Sequence, residues 1–187
     1  MGKNCLLVVD VQNDFCPGGA LAVQEGDAVV PSINRILPKF DLIIATRDVH
    51  PGKTIHFTKW PPHCIAGTTG ADFHPNLKID AIDLFAEKGT SNADDGYSGF
   101  EATNMDLAGI LRERQIEDVV ICGLATDYCV KETALDAVKQ GFHVTVLTDC
   151  TRAVNLHPND GIKALAEMAG AGIHLTTSDT FGTADIN

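Results

Sequence analysis

An α/β fold, a three-layer α/β/α domain around a six-stranded, mainly parallel sheet, is predicted by three observations. Short apolar runs alternate with stretches of helical spacing along almost the whole chain. The runs are continuously apolar rather than alternating, as strands buried on both faces are. Turn residues separate the two kinds of segment, the pattern of βα units.

The elements follow in order. Leu6-Leu-Val-Val-Asp10 reads as the first buried strand. Asp27 to Leu37 has helical spacing in Val30, Ile33, Asn34 and Leu37, and Pro38 ends it. Leu42-Ile-Ile-Ala-Thr46 is the second strand, and Ala81-Ile-Asp-Leu-Phe-Ala86 contains the third. Asp106 to Gln115 is helical, with Leu107, Ile110 and Leu111 on one face. Val119 to Cys122 is the fourth strand. A helix from Thr126 to Gln140 follows, with Thr126 as N-cap and Asp127 in the first turn. His143 to Thr148 is the fifth strand, Pro158 to Ala169 a helix closed by Gly170 and Gly172, and Ile173 to Thr176 an edge strand. No repeat or linker interrupts this order, so residues 1–187 are expected to form one domain.

Composition narrows the class of partner. A hydrophobic share of 44% is that of a globular domain with a sizeable core. The formal net charge of −11 argues against nucleic acid and anionic membranes and leaves a small molecule as the expected partner. Self-association into a homo-oligomer is left open. No apolar run approaches membrane-spanning length. Six cysteines without a CxxC pair, three of them (Cys5, Cys122, Cys150) in or beside strand-like runs, do not form a disulfide framework. Met1-Gly-Lys-Asn leads straight into the first strand pattern, with no leader visible, so a reducing cytoplasm is expected.

Chemistry concentrates where strands end. Cys129 lies in Gly123-Leu-Ala-Thr-Asp-Tyr-Cys129-Val, between the fourth strand and a helix start. Free backbone N–H groups there are expected to lower a thiol pKa and to hold an oxyanion. The alternative is a small buried core cysteine. Asp10 closes the first strand after four apolar residues and is expected to be half-buried and to need a partner. Lys88, after the third strand, is the expected partner. In open α/β sheets these ends line the ligand crevice. A plain salt bridge is the competing reading for Lys88.

Arg47 to Lys78 shows neither period. An irregular stretch of about 30 residues is usually functional. Four of the seven histidines (His50, His56, His63, His74) lie in it. In extended chain Asp48 and His50 point the same way and can converge on one ion. With His63 from Trp60-Pro-Pro-His63-Cys64, and His56 as the least secure member, they suit zinc, iron or manganese. Cys64 is a rival ligand, discounted because neighbours in extended chain face opposite ways. Loop polar residues capping one another are the bland alternative.

The motifs Asp10-Val-Gln-Asn-Asp-Phe15, Thr46-Arg-Asp-x-His50, Trp60-Pro-Pro-His-Cys, Asp72-Phe-His-Pro75, Lys88-Gly, Tyr97-Ser-Gly-Phe100 and Gly123-Leu-Ala-Thr-Asp-Tyr-Cys129 occur in this order. Together they resemble the nicotinamidase/pyrazinamidase branch of the isochorismatase-like cysteine hydrolases, from Leu6 to about Thr176. The resemblance implies the sheet order 3-2-1-4-5-6 and a catalytic triad of Asp10, Lys88 and Cys129. It implies an oxyanion hole from the N–H groups of Ala125 and Cys129, with a cis peptide before Ala125. It implies one divalent metal on Asp48, His50 and His63, with His56 joining in some relatives. Phe15, Trp60, Tyr97 and Ala125 match residues around the pyridine ring. The activity implied is hydrolysis of nicotinamide to nicotinate and ammonia through a cysteine thioester, with pyrazinamide also accepted. Two features depart from the pattern: the link between His56 and Trp60 is short, and Thr90–Gly96 is acidic. A metal-independent relative acting on a ureido or N-carbamoyl compound is the first rival, and a non-catalytic binding module with a structural metal is the second.

Overall fold

In the computed structural model, which describes residues 3–182, strands β1 (Lys3–Val9), β2 (Leu42–Asp48), β3 (Leu84–Lys88), β4 (Ile116–Leu124), β5 (His143–Arg152) and β6 (His174–Thr176) form one sheet. Its order is β3-β2-β1-β4-β5-β6. Every neighbouring pair is parallel. Four α-helices cover the sheet: α1 (Val29–Ile36), α2 (Leu107–Glu113), α3 (Lys131–Lys139) and α4 (Asp160–Gly170).

The apolar runs explain the layering. Side chains alternate across β1, so Leu6 and Val8 enter one core while Cys5, Leu7 and Val9 enter the other. Val29, Val30, Ile33 and Ile36 of α1 pack on the first face. Leu107 and Leu111 of α2, Ala134 and Ala137 of α3 and Met168 of α4 pack on the second. A strand buried on both faces has no polar side to show, and β1 and β4 therefore read as continuous apolar runs.

Register sets the height of each functional residue. Val9 pairs with Thr46 on one side and Gly123 on the other, so Asp10 emerges one step above both neighbours. Asp48 pairs with Lys88 at the ends of β2 and β3. Gly123 has φ +109°, and a Cβ there would lie 2.0 Å from the Val9 carbonyl oxygen. Only glycine lets β4 approach β1 this closely at its carboxyl end.

Three expectations are corrected in detail. The third strand, expected within Ala81–Ala86, runs from Leu84 to Lys88. Ile79–Ala81 is a 3₁₀ turn, and Asp83 first clamps the Ile43 backbone by accepting from its N–H at 2.8 Å and donating its own N–H to the Ile43 carbonyl. The single helix expected from Thr126 to Gln140 is a π-turn, Thr126–Val130, followed by α3. Thr126 is not a capping side chain. The N-cap is Ala125, and the Thr126 hydroxyl bonds that of Thr151 at 2.8 Å. Among the described residues, no helix is long and apolar enough to cross a membrane.

Candidate active site

Four strand ends meet at the carboxyl edge of the sheet. Lys88, the last residue of β3, is completely buried, and its ammonium is the centre of the cluster. It lies 2.7 Å from Asp10 Oδ2, 2.5 Å from Asp48 Oδ1 and 3.6 Å from Cys129 Sγ, and donates to the Gly96 carbonyl at 2.7 Å. Asp10, expected to be half-buried, is fully buried. Its Oδ1 accepts the Thr46 hydroxyl at 2.6 Å, which leaves Oδ2 to face Lys88. Asp10, Asp48 and Cys129 bring a carboxylate oxygen or the sulfur within 4.8 Å of one another.

One cation serves two carboxylates here, and the proton equilibria follow from that imbalance. Burial raises the Asp10 pKa, Lys88 opposes this, and nearby Asp48 adds to the rise. Burial acts on Asp48 in the same direction, but Lys88 and His50 outweigh it and hold its carboxyl below the usual range. Burial would depress Lys88, yet Asp10 and Asp48 keep it firmly protonated. The Cys129 thiol is raised well above its ordinary value by burial; Lys88 pulls it down, while Asp10 and Asp48 push it further up. The lowered thiol pKa expected from the helix start is therefore overruled. Burial beside two carboxylates outweighs one lysine and the first turn.

Cys129 sits in the π-turn, with Val130 N–H reaching the Ala125 carbonyl at 3.1 Å. The Leu124–Ala125 peptide is cis. Asp127, expected near the helix start, turns away and accepts the N–H groups of Val154 and Asn155 at 2.8 Å each, tying the loop after β5 to the site.

A second cluster adjoins the first across Asp48. His50, His56 and His63 are buried and place one ring nitrogen each within 4.8 Å of the others. Each Nδ1 is already engaged: His50 donates to the Gly89 carbonyl at 2.8 Å, His63 to the Pro61 carbonyl at 2.8 Å and His56 to Asp94 Oδ1 at 3.0 Å. That fixes the tautomers and leaves the Nε2 lone pairs for a common partner. His50 Nε2 is buried with no hydrogen-bond partner, and Asp48 Oδ2 lies 3.7 Å from it. Burial lowers the pKa of His56 and of His63, which keeps both rings neutral, the form that binds metals. Three imidazole nitrogens and the Asp48 carboxylate, with the His50 nitrogen lacking a hydrogen-bond partner, fit a divalent transition ion. His56, ranked last from the sequence, stands level with the other two. Cys64 instead directs its sulfur toward the Gly70 carbonyl at 3.9 Å, away from the rings. His74 stays outside as well; its ring accepts the Asn76 N–H at 3.3 Å.

Folding of the irregular loop explains this convergence. His50 N–H donates to the Cys64 carbonyl and Ala66 N–H to the His50 carbonyl, both at 2.9 Å, so the segment carrying His63 is laced to the end of β2. Gly89 has φ +65°, and a Cβ there would stand 2.5 Å from the His50 ring, so the ring takes the space a side chain would fill. Gln12, which sequence reasoning did not single out, locks Asp48 by accepting its N–H and donating to its carbonyl, both at 2.8 Å.

One pocket joins the clusters. Its walls include Phe15, Trp60, Tyr97 and Ala125, with Cys129 at one side and Asp48, His56 and His63 at another. Leu21, Gly96, Leu124, Tyr128 and Val154 also line it and were not legible as pocket residues. Trp60 stands edge-on to Tyr128, with centroids 4.9 Å apart.

A doubly covered parallel sheet with cysteine, carboxylate and lysine converging at its carboxyl edge defines a class of cysteine hydrolase. The isochorismatase domain matches residues 4–180, and the chain belongs to that family. Within it, the chain is 39% identical to nicotinamidase of Escherichia coli, over 95% of this chain and 96% of that protein. It is 40% identical to nicotinamidase/pyrazinamidase of Mycobacterium tuberculosis, over 92% and 98%. Pyrazinamidase of Pyrococcus horikoshii in complex with zinc superimposes with a TM-score of 0.84 at 44% identity, covering 94% of this chain and 99% of that one.

Proposed function

We propose that this protein is a nicotinamide amidohydrolase that converts nicotinamide and water to nicotinate and ammonia, with pyrazinamide as a second substrate. The observation that carries the reading is the buried Asp10–Lys88–Cys129 cluster opening into an aromatic-walled pocket with three imidazoles beside it. The two relatives named nicotinamidase at about 40% identity support it.

Cys129 is the nucleophile. Its proton passes to Asp10 as the sulfur attacks the amide carbon, and Lys88 stabilises the negative charge that remains. The N–H groups of Ala125 and Cys129 hold the oxyanion, each donor contributing about 3–4 kcal/mol. Asp10 returns the proton to the departing nitrogen, the C–N bond breaks and ammonia leaves. Water then attacks the nicotinoyl thioester as Asp10 takes its proton; the C–S bond breaks, Asp10 passes that proton to the departing sulfur, and the acid leaves as nicotinate by giving up its own proton to ammonia or solvent. Phe15 and Trp60 face the flat ring, and Tyr97 closes the wall.

Asp48, His50, His56 and His63 would hold one divalent ion, which we assign as zinc by analogy with the Pyrococcus relative. When bound, that ion supplies a Lewis-acid anchor for the pyridine nitrogen and a polarised water. The described residues read as one domain, and six free buried cysteines suit a reducing cytoplasm.

Ammonia release from nicotinamide tests the activity, and a nicotinoyl adduct on the Cys129 peptide after rapid quenching tests the intermediate. Benzamide keeps the ring face and the amide but lacks the ring nitrogen, so it should turn over much more slowly. Release of ammonia from an N-carbamoyl compound, with none from nicotinamide, would reject the proposal.

A further inference from the structure

The acidic segment Thr90–Gly96 lies against the turn that carries His56. Thr54 donates to the Ser91 and Ala93 carbonyls at 3.3 Å each, and Ile55 N–H donates to the Asn92 side chain at 2.9 Å. This docking brings Asp94 to a place where one carboxylate oxygen has two duties. Asp94 Oδ1 accepts from His56 Nδ1 at 3.0 Å and from the Tyr97 hydroxyl at 2.9 Å. Tyr97 Oη in turn accepts from Trp60 Nε1 at 3.1 Å. The other oxygen of Asp94 pairs with the exposed ammonium of Lys59.

We infer that Asp94 is a positioning residue that holds the metal-side imidazole of His56 and the aromatic wall Tyr97–Trp60 in one hydrogen-bonded unit, setting ion affinity and ring binding together. The chemistry follows from the donors. A carboxylate accepting from Nδ1–H orients the imidazole and makes Nε2 more basic, and loss of such a partner typically costs 10–100-fold in metal affinity. The same oxygen fixes the rotation of the Tyr97 hydroxyl, whose only remaining acceptor capacity then meets the indole N–H. The two walls of the pocket that face the ring nitrogen and the ring plane are therefore built from one anchor. Asp94 touches neither the reacting carbonyl nor the thiol, so its effect is on binding rather than on the chemical step.

This inference rests on the amide-hydrolase reading, and its test is arranged to separate the two. Zn²⁺ affinity is measured by competition with a chromophoric chelator, without substrate. Trp60 is the only tryptophan, so intrinsic emission reports its surroundings in the same samples. Nicotinamide turnover of the wild type alone judges the activity. Asp94→Ala is expected to weaken Zn²⁺ binding by about 10–100-fold, to shift Trp60 emission, and to raise KM for nicotinamide several-fold more than it lowers kcat. Asp94→Asn keeps an acceptor oxygen for both donors and should restore the emission and most of the Zn²⁺ affinity. Tyr97→Phe should shift emission and raise KM while leaving Zn²⁺ affinity within about twofold. Lys59→Ala removes only the outer pair and should resemble the wild type in all three readouts. Asp94→Ala with wild-type Zn²⁺ affinity and wild-type emission would overturn the inference. So would Asp94→Asn no better than Asp94→Ala, in variants whose unfolding midpoints match.

Discussion

Lys88→Met tests the charge balance at the heart of the site. Methionine nearly preserves the volume of a side chain that is among the largest fully buried ones, so the substitution removes charge and leaves little cavity. Asp10 and Asp48, at 2.7 and 2.5 Å from the ammonium, lose the lysine they share. Removing one partner of a buried ion pair typically costs about 3–5 kcal/mol. For a chain of this size each kcal/mol lowers Tm by about 2–4 °C, so a fall of roughly 6–20 °C is expected at neutral pH. The pH dependence gives the signature. In the wild type the lowered Asp48 pKa contributes stability that is present above its unfolded value and lost as pH falls through the folded one. Without Lys88, Asp10 loses the cation that opposes its burial and rises further, and Asp48 loses the largest influence that holds its carboxyl down. A raised folded pKa costs stability at neutral pH and relieves that cost as pH falls. The gap between variant and wild type should therefore be widest near pH ~7 and narrow toward pH ~4. Urea unfolding of chelator-treated protein across that range measures it. A gap of constant size, or none at neutral pH, would refute the assignment of Lys88 as the shared counter-ion.

Cys129→Ala should lower turnover by several orders of magnitude while thermal unfolding stays near wild type, since the thiol is a small buried group; near-normal activity would move the nucleophile elsewhere. Asp48→Ala and His63→Ala should each lose the metal found by elemental analysis in wild-type protein purified without chelator, and full occupancy in both would place the ion outside this loop. Gly123→Ala should lower the urea midpoint by the equivalent of about 1–3 kcal/mol without changing the slope, because its methyl group would overlap the Val9 carbonyl; an unchanged midpoint would mean that β1 and β4 can separate at no cost.

The strand framework was legible because burial on both faces leaves strands wholly apolar, and strand order was legible only through the motif resemblance. Asp48 and His50 were readable as a pair since extended chain repeats every two residues; the same rule does not reach Cys64, whose backbone is left-handed at φ +44° rather than extended. Local patterns failed where a tertiary contact redirected a group. The Thr126 hydroxyl looks like a cap in sequence but is claimed by Thr151 from β5. The π-turn leaves no periodic trace, because one extra residue per turn only displaces the apolar stripe that α3 then resumes. Gln12 and Thr46 were invisible as positioning groups because their partners lie 36 residues away in the chain, and Asp94 because its His56 partner lies 38 away. A polar residue flanked by motif residues, as Gln12 is by Val11 and Asn13, is the one signal that pointed toward such a role.

The disagreement over Cys129 clarifies how the site is used. A helix start alone would favour a resting thiolate, and a resting thiolate would be open to oxidation at all times. Burial with two carboxylates around a single lysine instead pushes the Cys129 thiol pKa upward. In the proposed mechanism Asp10, whose pKa burial raises, takes the thiol proton once the sulfur has an electrophile to attack. In that mechanism the charge then passes from sulfur to carbonyl oxygen, toward the N–H groups of Ala125 and Cys129. Charge separation is least favourable before the amide arrives and most favourable as the oxyanion forms. The arrangement therefore stabilises the transition state more than the resting enzyme, as rate acceleration requires.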